Sequence, residues 1–161
     1  MANILLERAK DVWDKVKACE VKIQILISKN QLLEAIQIGL KFLAFLGIYL
    51  PEKPDENDVK REEDEIKQKL SCKQIESLIY LPIMREKKQL ASMRILSSLL
   101  NAAYLGLPKL LPLIVAKQVD LSITYGNMDV SPSAYANHAL ILCSNVDNID
   151  LGYSLGNLAL D

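Results

Sequence analysis

Of the chain's 161 residues half are apolar, only 6% are aromatic, and 19 basic side chains stand against 20 acidic ones. A chain of that length buries roughly two-thirds of the surface it exposes when unfolded, enough for one sizeable core. A net charge of −1 supplies no long-range field to gather phosphate backbones or anionic lipid, so nucleic acid and membrane surfaces are poor partners.

From the N-terminus, Leu5, Leu6, Ala9, Val12, Trp13, Val16, Cys19, Ile23, Leu26 and Ile27 recur at the three- and four-residue steps of one long helix with Asn3 as a possible N-cap. Asn30 interrupts it. Leu33, Ile36, Leu40 and Leu43 then lie on one line, with Ala35, Gly39 and Phe42 beside it, and the two helices form a hairpin over residues 1–50. A glycine inside a helix costs about 1 kcal/mol against alanine, which close packing at Gly39 offsets.

Gly47 and the prolines Pro51 and Pro54 end the hairpin, because a residue before proline is pushed out of helical angles, and residues 51–57 read as a linker. The remaining helical stack, residues 58–161, starts in the most charged stretch, residues 55–73. Acids come early and Lys67, Lys69 and Lys73 late, as a helix dipole favours. Glu63 with Lys67, and Glu65 with Lys69, have the spacing of pairs along one solvated face, and Val59, Ile66 and Leu70 leave only a thin apolar stripe.

Ile75, Leu78 and Ile79 start a short helix that stops before Pro82. A third long helix turns Leu90, Met93, Leu96, Leu100 and Ala103 inward, with the small basic cluster Arg85, Lys87 and Lys88 at its start. Residues 108–127 carry only Lys109, Lys117 and Asp120 as charges, so a helix there lies near the centre of the packing. Taken alone, Leu121-Ser122-Ile123-Thr124-Tyr125 passes as a strand, but its place before Gly126-Asn127 favours the end of a helix. Ser131 as N-cap and Pro132 at the first helical position open the next helix, whose inner line is Tyr135, Ala139, Leu142 and Cys143.

After a turn at residues 147–149, Leu155-Gly156 and Ala159 match the first helix of a tetratricopeptide repeat whose second helix is absent. The whole pattern predicts an all-α fold with seven or eight helices and no sheet, an α-solenoid-like stack of antiparallel pairs forming one domain over 1–161 and cut from a longer protein. Tyr153, Leu155, Leu158 and Leu160 would then lack part of their cover, inviting a homodimer through the C-terminal helix.

Chemistry is sparse. Cys19, Cys72 and Cys143 with a single histidine provide neither a zinc set nor a disulfide framework, and read as buried, reduced thiols of a cytoplasmic protein. The N-terminus lacks the pattern of a secretory signal. Residues 38–50 are too short, and residues 105–116 too interrupted, to span a bilayer. No phosphate-cradling loop, dinucleotide fingerprint, metalloprotease helix or kinase element occurs. His138, with no acid three or four residues away, reads as structural. No catalytic, cofactor-binding or metal-binding residue is assigned, and no cofactor is expected.

The strings Cys19-Glu20-Val21-Lys22-Ile23-Gln24, Gln31-Leu32-Leu33-Glu34-Ala35-Ile36-Gln37-Ile38-Gly39-Leu40, Val115-Ala116-Lys117-Gln118-Val119, Leu121-Ser122-Ile123-Thr124-Tyr125-Gly126-Asn127 and Gly152-Tyr153-Ser154-Leu155-Gly156, together with residues 110–113, resemble the helical region of large cyanobacterial-type signalling proteins. In that family a serine/threonine kinase domain and a predicted ATPase domain precede this region, and a GAF sensor domain and a histidine kinase follow it.

The resemblance spans nearly the whole chain. It implies a non-catalytic linker and interaction module of a two-component signal-transduction kinase, whose partners are neighbouring domains of the same polypeptide or another protein. A self-contained binding module for a peptide or small signal molecule is the alternative. Arg85-Glu86-Lys87 and His138 depart from the family's acid-proline turn and usual aromatic.

Since isolated glycines within helices cannot present the run of backbone donors a nucleotide phosphate needs, calorimetric titration of residues 1–161 with ATP is expected to show no saturable binding; a saturable isotherm would overturn this.

Overall fold

A computed structural model describes residues 12–144 and 148–160. Among them the regular structure is entirely helical: α1 (Val12–Ser28), α2 (Leu32–Phe45), α3 (Glu56–Ser71), a 3-10 helix (Ile75–Tyr80), α4 (Lys87–Gly106), α5 (Leu110–Tyr125), α6 (Ser131–Cys143) and α7 (Ile149–Leu158). The expected helix start at Asn3, the residues before Val12 and Asp147 lie outside the described residues. An all-α fold is thus what these residues form, and Leu121 to Tyr125 are helical.

Asn30, at φ 58°, turns α1 into α2, and both pack on α4. Gly39 is the place where α2 meets α4: a Cβ there would lie 2.5 Å from Leu99 Cδ1, so glycine admits the leucine at the interior position where it weakens the helix. Arg94 of α4 also grips Glu20 of α1 through two bonds of 2.9 and 2.7 Å.

Helix α5 occupies the centre. Leu110, Ile114 and Leu121 join the core built by α1, α2 and α4, whereas Ala116, Val119 and Ile123 join a second core with α3, the 3-10 helix, α6 and α7. A helix with two buried faces must be apolar nearly all round, which is the composition seen in residues 110–125.

Several expectations change. Helix α3 begins at Glu56, inside the stretch read as a linker, and Pro54 is buried. Asp55 caps it reciprocally: its side chain accepts from the Asp58 amide at 2.8 Å, and its own amide donates to Asp58 Oδ2 at 3.1 Å. The lysines of α3 reach across to other elements. Lys69 pairs with Asp120 and Lys67 donates to Asn148 at 2.7 Å, while Glu62 approaches Lys117 at 3.7 Å. The helix therefore packs on α5 instead of extending a chain-order succession of pairs.

Ser131 is the first residue of α6 and not its cap; its hydroxyl accepts from the Met128 amide at 2.9 Å and meets Ser122 Oγ at 2.8 Å. Cys143 is exposed, as is Cys72, because Cys143 falls about 100° round the helix from the centre of the buried face, where His138 takes a place instead. Leu155 and Leu158 are buried, covered by α6 and the 3-10 helix, so of the four residues expected to lack cover only Tyr153 and Leu160 are exposed.

Asn127 ties these pieces together. Its amide donates to Pro82 O at 2.9 Å and its carbonyl accepts from the Met84 amide at 2.8 Å. Its side chain donates to Leu78 O at 2.7 Å and accepts from the Tyr135 hydroxyl at 2.8 Å. The preceding Gly126, at φ 103°, lies so close to this strap that a Cβ would stand 2.1 Å from Pro82 O. Gly126→Ala and Asn127→Ala are each expected to lower unfolding stability in urea by about 2 kcal/mol or more, through backbone strain in the first and orphaned buried partners in the second; a loss below about 0.5 kcal/mol in both would contradict the role given to the strap.

Candidate functional site

The residues with the most reactive chemistry are placed apart. Cys19 is buried, and burial together with neighbouring Glu20 pushes its thiol up to about 12, so it stays protonated and inert. Burial likewise raises the Tyr135 phenol to about 12 against the lowering effect of its bond with Ser122. Among the described residues no group of three histidine, cysteine or acidic side chains could hold a metal ion, and no helix is long and apolar enough to cross a membrane.

His138 is 2% exposed and neither ring nitrogen has a hydrogen-bond partner. Burial alone pushes its pKa down to about 4, so the ring is neutral in the folded protein at neutral pH.

The main concave feature runs across the N-terminal half of α5. Two depressions, of about 610 and 620 Å³, share Glu63 and Pro112 in their walls. The first mixes apolar walls with charges of both signs, Glu56, Glu63 and Asp64 against Lys60, Lys67 and Lys109, from α3 and the approach to α5. The second is lined by Leu100, Tyr104, Leu111, Val115, Leu140 and Ile141, from α4, α5 and α6, and Glu63 is its one charged wall residue. Pro112 lies in the first turn of α5, where its missing N–H leaves no intrahelical bond unmade, and it forms the saddle between the two halves.

Two large apolar side chains of this second half stand in solvent, Tyr104 at 66% and Leu140 at 72% exposure. Glu63 is held above its usual carboxylate range, first by partial burial and then by the charge of Asp64. No basic side chain of the described residues comes within ion-pair distance of it; Lys67, four residues on, is turned to Asn148, and Lys109 to Glu56 at 3.3 Å. The groove thus offers an apolar floor beside an unneutralised carboxylate, a combination suited to holding an apolar segment that carries a cation.

None of these groove residues stands out in the sequence as a site. Glu63 reads as part of a solvated face, and Tyr104 and Leu140 lie off the inner lines of their helices. Apolar residues out of phase with a helix's buried face were the available signal. Arg85, Lys87 and Lys88 are exposed as a cluster, away from the groove walls.

Comparison of the chain with family models, with curated proteins and with solved structures gives no match.

The unpartnered imidazole supplies a titration test. Below about pH 6.5 the unfolded chain takes up a proton at His138 that the folded protein refuses until about pH 4. Stability contributed by the neutral ring is therefore complete above pH 6.5 and lost as pH falls through that window. Relative to the His138→Phe variant, the protein is expected to lose about 3 kcal/mol between pH 7 and pH 4; parallel pH–stability curves for the two would exclude it.

Proposed function

We propose that the chain is a non-catalytic helical interaction and linker module, one whose groove beside Pro112 holds a segment of protein. The observation that carries this reading is the pairing of exposed Tyr104 and Leu140 with Glu63 in one concavity. Single exposed apolar residues are ordinary, but apolar side chains grouped in a depression with a half-buried charge mark a recognition surface. The stacked hairpins α1–α2, α4–α5 and α6–α7 support a tetratricopeptide-like arrangement, in which adjoining helix pairs build concave faces, with α3 and the 3-10 helix laid across it.

In the setting that the sequence resemblance implies, the module lies in the cytoplasm between a predicted ATPase domain and the sensor and histidine kinase domains of one signalling polypeptide. It transmits a change of state only where a neighbour contacts the groove differently in two states.

Two measurements test the proposal. The coding sequence flanking residues 1–161 is expected to encode a phosphate-binding Gly-x-x-x-x-Gly-Lys-Ser/Thr loop on the N-terminal side and a histidine kinase on the C-terminal side; stop signals close on both sides would refute the linker role. A photo-crosslinking phenylalanine analogue at Leu140 in the full polypeptide is expected to capture an identifiable protein segment, whereas the same probe at exposed Tyr49 is not. Equal, unspecific labelling at both would refute the groove's part.

A further inference from the structure

His138 holds a place in the second core that only its neutral form can occupy. It lies on the buried face of α6 with Ala134, Tyr135, Ala139 and Leu142, and both its ring nitrogens are without partners. A second proton would turn the ring into a cation with two N–H donors and no acceptor, a far costlier thing to bury than the neutral imidazole.

No neighbouring charge relieves that cost. Helix α6 packs on α5 and α7. On α5, Lys117 and Asp120 are turned to Glu62 and Lys69 of α3, and Tyr125 is exposed; on α7, Asp150 and Tyr153 stand in solvent. On α6 itself the Tyr135 hydroxyl is bonded to Asn127, and Cys143 is exposed.

The division of the interior decides what gives way. No buried residue of the first core comes from α6 or α7, whereas the second core takes Ala134, Tyr135, Ala139, Leu142, Leu155 and Leu158 from them. The two helices hold to each other at backbone distance: a Cβ on Gly152 would lie 2.6 Å from Cys143 Sγ and 3.0 Å from Ala139 O. Their main attachments to the rest are α6 on α5 and α7 on the 3-10 helix. The pair can therefore leave together, without drawing a buried side chain out of the first core, and its departure puts His138 in water. Partial openings commonly follow such supersecondary units.

We infer that the fold contains an acid-operated latch: protonation of His138 releases the α6–α7 hairpin as a unit and leaves the core of α1, α2 and α4 folded. The released form takes up the proton that the closed form refuses, so acid favours it. The latch is fully shut above about pH 6.5 and loosens progressively down to about pH 4.

Segment-resolved hydrogen exchange on the full chain tests this. Corrected for the intrinsic exchange rate at each pH, opening of the α6 and α7 amides is expected to be about 30-fold more frequent at pH 5 than at pH 7.5, relative to the same ratio in His138→Phe. A urea series then separates hairpin from core. Pulse-labelled exchange reads the α6 and α7 peptides, and the fluorescence of Trp13, the chain's one tryptophan, reads α1, which packs on α2 and α4.

Between pH 7.5 and pH 5 the hairpin's midpoint is expected to move to lower urea and part from that of Trp13. In His138→Phe the two are expected to stay together, and His138→Leu, which fits if the phenyl ring is too large for the site, is expected to behave the same way. Wild-type midpoints that fall together would show that the whole molecule yields and not the hairpin. An acid response as large in both variants as in the wild type would show that the imidazole is not the trigger. Either result overturns the inference.

Discussion

Asn127 is the residue on which the arrangement of the two cores depends. With four hydrogen bonds it fastens the chain between the 3-10 helix and α4 to the end of α5, and it reaches α6 through Tyr135. Leu78, whose carbonyl it binds, belongs to one core, and Met84, whose amide it binds, belongs to the other. Buried polar groups are costly unless bonded, so a single amide residue satisfying four partners constrains the relative placement of elements that otherwise share mainly apolar contacts, which fill space but specify register weakly; Gln118 with Ser97 and Ser122 with Ser131 add one polar contact each, from α5 to α4 and from α5 to α6. Gly126 makes the approach possible by leaving room for Pro82 O.

Around that strap the polar contacts divide by position. The ion pairs that join α3 to α5, through Lys69, Asp120, Lys117 and Glu62, lie at the edge of the second core, where each partner keeps some water. Such pairs contribute little individually but favour one rotational setting of α3, whose buried contribution is confined to Ile66 and Leu70. The interior holds the serines Ser122 and Ser131, satisfied by each other and by the backbone, and His138, which is not satisfied by any protein atom.

What the residues disclose on their own is the local order. The three-four spacing marks the inner faces of α1, α2 and α4, apart from Leu33, which stands exposed in the first turn of α2, and the nearly uncharged run at residues 110–125 marks the central helix, because each depends on period and composition within one element. The strap was not legible: Gly126-Asn127 reads as a helix stop, and nothing near it says that Asn127 binds residues 78, 82 and 84. For the same reason the charges of α3 look like a solvated face until Asp120 and Asn148 are brought beside them. The groove was hidden more deeply, since its walls come from four helices and its telling residues, Tyr104 and Leu140, show themselves only as exceptions to a pattern.

The crossing of α3 from its place in the chain to its place in the fold has a consequence for synthesis. Helices α1, α2 and α4 complete most of one core by residue 106, but α3, already made, has its main surface on α5, and the 3-10 helix waits for α7. As the chain leaves the ribosome, α3 must remain uncovered until residues 110–158 follow, an interval in which sticky segments invite misassembly. Its dense charge, its self-sufficient Asp55 cap and an apolar stripe reduced to two buried side chains suit a segment that has to wait in water, and the features that look like weak packing in the finished fold are those that keep the unfinished one soluble.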